Sequence, residues 1–278
     1  MNELVNYLNG LIWSPALIYL CLGVGLYFSL RGRFLQIRHF REMARLIFAG
    51  RTDSNGITSF QALTMTLAGR VGTGNIAGVA TAITFGGPGA VFWMWMVAFL
   101  GASSAFVEST LGQVYKEEVR GQHRGGPAFF IEKGLGTKWY AVTFAIVTIF
   151  ACGLLLPGVQ ANSIGSFTQV VVPFMALGYI IVACVIVMLH IEQLPDVIAL
   201  IFKSAFGLQA GFGAILGQAI MWGVKRGVYS NEAGQGTGPH ASSAAAVSHP
   251  AKQGLVQGFS VYIDTLFVCS ATAFMLLV

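Results

Sequence analysis

Glycine crowds the start of a stretch that otherwise reads as membrane helix. From Val71 to Val107 there is no Asp, Glu, Lys or Arg, which places the segment at bilayer depth. Gly72, Gly74 and Gly78 fall there together with Thr73 and Asn75. Each glycine weakens a helix by about 1 kcal/mol relative to alanine. Backbone freed in this way cannot face lipid, where unpaired polar groups are costly. The stretch Gly69–Gly78 is therefore expected to line a polar cavity inside the protein. Unwound membrane helices of this kind build the substrate and ion sites of secondary transporters.

Composition sets the same scene. Of 278 residues, 55% are hydrophobic and 10% charged, with a mean hydropathy of +0.70. A soluble domain carries about 25% charged residues. The net charge of +5 is gathered in loops, so it bears on orientation in a membrane and implies no nucleic-acid partner. Cys21, Cys152, Cys184 and Cys269 are isolated in apolar runs without CxxC spacing and read as packing residues.

In chain order, Leu11–Leu30 is a first span, long enough to cross the hydrocarbon layer. Glu3 without any Lys or Arg ahead of it disfavours a cleaved signal peptide. Residues 31–51 hold six arginines against Glu42 alone, which predicts a cytoplasmic segment and an external N-terminus. Phe34, Ile37, Phe40, Ala44 and Phe48 mark an apolar stripe, expected to lie on the inner membrane surface. The glycine-broken span covers about 57–85, and Gly86-Gly87-Pro88-Gly89 turns the chain into a return span over 90–114. Trp93 and Trp95 read as interfacial anchors, and Glu108 as either an ion ligand or a carboxylate near the inner interface. The loop 115–138 carries five basic residues and is expected inside. Residues 139–191 contain no charged side chain and divide into spans over 140–163 and 170–190, joined at 164–169. Gln160, after Pro157-Gly158, is either a helix-end group or a substrate contact. A weakly acidic linker with Glu192, Asp196 and Lys203 leads to an uncharged span over 205–223.

Directly after it runs a second polar, glycine-rich segment, 224–240, which repeats the Gly-Thr-Gly of residues 72–74 at 236–238. Paired interruptions are the best sequence pointer to a transporter site. A broken helix offers N–H groups to a carboxylate and carbonyls to a bare cation. Thr73, Asn75 and Ser230 are candidate oxygen ligands for a hard cation such as sodium. The glycines leave room for something small. No catalytic constellation is visible, so no enzyme is expected; His240 and His249 fall among loop-forming residues. Gly72-x-Gly74-x-x-Ala77 satisfies a relaxed dinucleotide fingerprint but lacks the strand–helix context and the acid about 20 residues on. Gly74-x-x-x-Gly78 also fits a helix-packing motif. The last span, 254–278, contains Asp264.

Leu67–Gly78 and Gly227–His240 resemble the alanine or glycine:cation symporter family, as do Gly125-Gly126-Pro127 and Gly158–Ser163. The resemblance covers nearly the whole chain. It implies an all-α polytopic membrane protein, a partial leucine-transporter-like inverted repeat with two discontinuous helices. It also implies sodium-coupled symport of a small neutral amino acid, alanine or glycine, across a bacterial or archaeal cytoplasmic membrane, with Na+ as coupling ion and no other cofactor. A passive channel and an inactive membrane fragment are the alternatives. Under the resemblance, Thr73, Gly74 and Asn75 meet the substrate carboxylate and Gln160 lines the pocket wall; Gly72, and Ser230 and Asn231 of the second broken helix, are also expected to bind substrate. Residues 1–30 form an extra helix, 31–56 a cytoplasmic amphipathic segment, 57–190 a first repeat and 205–278 the start of a second, in one transmembrane domain. At 166–169 the family pattern leads one to expect a further helix, and at Val278 several more. An internal deletion and a C-terminal truncation are therefore expected, and with them weak or absent transport. About seven membrane helices are expected in this chain.

Overall fold

The computed structural model describes residues 3, 7, 10–49, 56–151, 164–206 and 212–278. Apart from one short hairpin these residues are helical, and the protein is an all-α, multi-pass membrane protein.

The first helix, α1 (Pro15–Arg31), opens on proline, which loses nothing at a position whose N–H has no helical partner. It lies at the periphery and buries little besides Ile18, Gly25 and Ser29. Residues 31–51 do not make one amphipathic helix. Arg33 and Phe34 both take positive φ, 51° and 52°, and separate α1 from α2 (Leu35–Arg38); His39, at φ −107° and ψ 18°, then divides α2 from α3 (Phe40–Ile47). The expected stripe is only half of the pattern. Ile37, Phe40 and Phe48 are exposed, while Leu35, Met43, Leu46 and Ile47 are buried in the bundle. The segment is thus packed against other helices on one side.

The first broken span consists of α4 (Ser59–Arg70), a π-helical turn at Gly74–Gly78, and α5 (Val79–Gly86). Thr58 starts it with a capping box: its hydroxyl accepts from Gln61 N–H at 3.2 Å, and Gln61 Oε1 accepts from Thr58 N–H at 2.8 Å. Gly87, at φ 72°, then turns the chain into α6 (Gly89–Val114).

The bundle is built around α6. Its Ala98, Ala102 and Ala105 are fully buried against Leu35, Met43, Val261 and Tyr262. Small residues let membrane helices approach closely and gain dispersion contacts along their length. The same economy appears on the facing helix, α11 (Phe212–Asn231): a Cβ at Gly223 would lie 2.5 Å from the carbonyl oxygen of Ala90. Trp93 Nε1 donates to Ala205 O and Trp95 Nε1 to Ser270 Oγ, so both indoles are bonded to protein.

After α6 a two-stranded hairpin, β1 (Glu117–Val119) and β2 (Gln122–Arg124), closes through Arg120-Gly121, both at positive φ as a tight hairpin turn requires. Helices α7 (Pro127–Leu135) and α8 (Lys138–Thr148) follow, and then α9 (Ile164–Leu189). The expected join at 164–169 is helical and belongs to α9; its residues carry no breaker strong enough to stop a 26-residue apolar run. The expected acidic linker is helical too. A 3-10 turn at Ile191–Gln193 leads into α10 (Leu194–Ala205), which buries Val197, Ile201 and Ala205 and meets the end of α9 at 79°. Pro195 sits in its first turn and Val197, Ile201 and Ala205 are four apart, a helical face that the charges obscure.

The second broken span is α11 followed by α12 (Gly238–Ala244). The chain then runs through α13 (Pro250–Tyr262), a π-helical segment at Ile263–Cys269, and α14 (Ser270–Leu277). His240 lies on α12 and His249 caps α13, its Nδ1 accepting from Ala251 N–H at 3.2 Å, so neither is a plain loop residue. Among the described residues three helices are long and apolar enough to cross a membrane unbroken: Gly10–Arg31, Gly89–Val114 and Pro250–Leu277. The bent pair Phe174–Leu189 and Ile191–Ala205 makes a fourth if taken as one span. The expected seven include broken spans; the two halves of the first, 12 and 8 residues long, are too short to cross singly.

Candidate functional site

Both interruptions expected from the sequence are present, and they face each other. In the first, α4 ends at Arg70 and Val71 turns extended, with φ −74° and ψ 106°. Asn75 repairs part of the damage: its Oδ1 accepts from Gly72 N–H at 2.8 Å, and its own N–H donates to Gly72 O at 3.1 Å. In the second, Glu232, Gly234 and Gly236 take φ of 51°, 83° and 85°, which unwinds the chain between α11 and α12. Glycine meets that demand without strain.

The side chains at the breaks meet in one buried polar cluster. Asn75 Nδ2 donates to Asp264 Oδ1 at 2.7 Å and to Ser230 Oγ at 3.0 Å. Ser230 Oγ donates to Asp264 Oδ2 at 2.8 Å, and Thr265 Oγ1 donates to the same oxygen at 2.9 Å. Asn231 Nδ2 reaches Thr265 Oγ1 at 3.3 Å, and Asn231 Oδ1 accepts from Ala233 N–H at 3.0 Å. Cys269 Sγ lies 3.3 Å from both Asn75 Nδ2 and Ser230 Oγ, so this cysteine is part of the polar cluster and not a simple packing residue. Thr272 Oγ1 donates to the carbonyl of Asn75 at 2.7 Å, and the Tyr179 hydroxyl lies 2.5 Å from Thr272 Oγ1. Asn75, Ser230, Asn231 and Asp264 are each at most 1% exposed.

Of the site residues read from sequence, the structure thus brings Gly74, Asn75, Ser230 and Asn231 together; a Cβ at Gly74 would lie 3.6 Å from Ser230 Cα. Gly72 joins them through its N–H. Thr73 is exposed, and its hydroxyl makes no bond to Asn75 or Ser230. Gln160, with Cys152, lies outside the described residues. Asp264, Thr265, Cys269 and Thr272 are the residues that sequence reasoning passed over. A carboxylate inside an apolar span was the available signal, since intramembrane acids mark function by default.

Glu108 has a bonding role that the sequence did not indicate. It is buried on α6 and accepts from Gly234 N–H at 3.2 Å and Gly236 N–H at 3.0 Å, holding the unwound second break by its orphan donors. Around it, the halves of the two broken helices nearest the hairpin are tied together. Ile57 N–H donates to Ala244 O at 3.0 Å, Ala246 N–H to Ile57 O at 2.9 Å, and Lys116 Nζ to Ala245 O at 2.9 Å. Gly126, at φ 142°, lies so close to His240 that a Cβ would be 2.5 Å from its ring.

The arrangement offers oxygens from one carboxylate and two hydroxyls at the meeting point of two unwound helices. That donor set fits a hard monovalent cation. A cation there would compete with Asn75 Nδ2 for Asp264 Oδ1. Among the described residues no group of three or more His, Cys, Asp or Glu side chains is gathered in one place.

The model of the sodium:alanine symporter family matches residues 1–169 and 162–278. The chain belongs to the sodium:alanine symporter family. Its relatives in this family include YrbD of Bacillus subtilis, named as a candidate sodium/proton-dependent alanine carrier, at 56% identity over 311 residues. That alignment takes in 100% of this chain and 64% of YrbD. The amino-acid carrier protein AlsT of Bacillus subtilis is 42% identical over 99% of this chain and 66% of its own length. The sodium/alanine symporter AgcS of Methanococcus maripaludis is 39% identical over 99% of this chain and 70% of its own. The chain spans about two thirds of the length of these relatives. The two family matches meet at 162–169, where the sequence departs from the symporter pattern.

Proposed function

We propose that this chain carries the core of a carrier that moves a small neutral amino acid, alanine or glycine, together with sodium across the cytoplasmic membrane. The observation that supports it most is the Asn75–Ser230–Asp264 cluster at the meeting point of two unwound helices. In this reading Asn75 and Ser230 hold sodium with Asp264, and Thr73 adds its hydroxyl when substrate is bound. Backbone N–H groups at Thr73 and Gly74 take the substrate carboxylate, Gly72 leaves room beside them, Asn231 supports the second break, and Gln160 lines the wall. Residues 57–190 and 205–278 are parts of two inverted repeats, with 1–30 an added helix. The chain has no enzymatic role. The printed names of AgcS, a sodium/alanine symporter, and of the PS3 Bacillus relative, a sodium/proton-dependent alanine carrier, support the same substrate and ion.

Counterflow of labelled alanine in proteoliposomes, with and without sodium, tests the reading. Sodium-dependent counterflow, weak in this chain, is the expected result. Sodium-independent flux would identify a pore, and sodium binding without flux would mean a fragment that keeps the site but not the cycle. Orientation is tested separately: cysteines placed in 31–49 and 116–138 should react only with reagents that reach the cytoplasmic face.

A further inference from the structure

Three buried charges stand around the breaks: Glu108 at 8% exposure, Arg70 at 3% and Asp264 at 0%. Arg70 closes α4 immediately before the first break. Its Nη1 donates to Ser260 Oγ at 2.5 Å, and Ser260 lies one helical turn ahead of Asp264. On its other side Arg70 approaches Glu108. A Cβ at Gly238 would be 3.4 Å from Glu108 Oε1 and 3.5 Å from Arg70 Nη2, so both groups converge on the start of α12. Arg70 Nε and Nη2 have no hydrogen-bond partner among the described residues. The guanidinium therefore works chiefly as a charge, and it lies between the two carboxylates. Glu232, which also faces Glu108, is partly exposed at the rim, where its charge is better screened; Thr237 Oγ1 donates to its Oε2 at 2.7 Å.

With both carboxylates ionised, the single guanidinium leaves one negative charge uncompensated, and an uncompensated buried charge is strongly unfavourable. One monovalent cation at Asp264 restores the balance. We infer that Arg70 and Glu108 form a fixed internal charge pair that sets the affinity of the Asp264 site for its cation. Neither touches the cation. Arg70 repels it, Glu108 offsets that repulsion, and both are positioning residues acting through Asp264. Glu108 has a second task on the same carboxylate, since its bonds to Gly234 and Gly236 hold the loop that ends in α12. The inference rests on the proposal that sodium binds at Asp264.

The consequence is a pair of shifts in opposite directions. Equilibrium binding of radiolabelled sodium to the purified full chain reads them directly. Arg70→Gln, which keeps a donor for Ser260, removes the repulsion and should tighten sodium binding about tenfold. Glu108→Gln, which keeps an acceptor for one of the two N–H groups, leaves Arg70 unopposed and should weaken it about tenfold. The double substitution should return to within about threefold of the parent. A purely structural role predicts weakening in all three. Weakening in Arg70→Gln, or a double variant weaker than Glu108→Gln alone, would overturn the inference. Should Glu108→Gln fail to fold, Arg70→Gln and the double variant still decide it by the sign of their shifts. No sodium binding by the parent chain would instead overturn the proposed sodium site, and this inference with it.

Discussion

The two breaks solve one problem by different means. The first repairs itself locally: Asn75 satisfies the Gly72 N–H within the same turn, and no residue from 71 to 78 takes positive φ. The second needs help from far away in sequence. Its backbone passes through three positive-φ positions, and Gly234 and Gly236 depend on a carboxylate from α6, more than a hundred residues earlier. The first break is therefore encoded where it occurs, whereas the second is encoded jointly by its glycines and by Glu108. A self-capped break can keep its shape while its surroundings move. One held from a neighbouring helix reports on where that helix is.

This contrast predicts unequal sensitivity. The largest effect is expected for Glu108→Ala, which strands the buried Gly236 N–H, frees that of Gly234 and leaves the Arg70 charge unopposed; loss of one partner of a buried charged pair costs about 3–5 kcal/mol. Chemical denaturation in detergent micelles should show it, and a loss below about 1 kcal/mol would mean that the second break holds itself. Next comes Asn75→Leu, which removes hydrogen bonds to a charged group worth about 1.5–3 kcal/mol, so sodium affinity should fall roughly ten- to a hundredfold while the protein still inserts. Unchanged sodium affinity would remove Asn75 from the site. Gly236→Ala forces a side chain into left-handed backbone and should cost about 1–3 kcal/mol in the same denaturation assay. Its position also crowds Pro127, whose Cγ would lie 2.8 Å from the added Cβ. Gly72→Ala is the matched control at the first break. Nothing lies within 4 Å of a Cβ there and φ is not positive, so the stability change should stay within about 0.5 kcal/mol. Equal losses at Gly72 and Gly236 would erase the distinction between the breaks.

The sequence made both interruptions legible because glycine inside an uncharged run has few structural uses at bilayer depth. Asn75 and Ser230 could be picked out for the same reason: polar side chains beside a break have donors and acceptors to satisfy. Asp264 was visible as an acid in a span, yet its partners lie 34 and 189 residues away along the chain, and spacing holds no record of them. Arg70 stood inside the motif without a role, since charge alone does not say which carboxylates it will lie between. The helix at 194–205 was hidden by its charged residues, although its buried positions keep helical spacing. The turn out of the first span rests on positive φ at Arg33 and Phe34, and the division between the two short helices that follow falls at His39, residue types that give no warning of either. Tertiary packing decided each of these cases against local pattern.

Both strands of the site cross it in π-helical form, Gly74–Gly78 on one side and Ile263–Cys269 on the other. A π turn holds one residue more than an α turn closes over, so the helix beyond it is out of phase with the helix before it by about 100°. Thr272 reaches the Asn75 carbonyl, and Cys269 reaches its amide, only with that phase offset in place. Deleting a single residue within 266–268 would let the segment relax to plain α-helix without shortening any hydrophobic face by more than one position. It would also swing Thr272 and the rest of the last helix about a quarter-turn away from the first break, uncoupling the two walls of the site without altering any side chain that lines it.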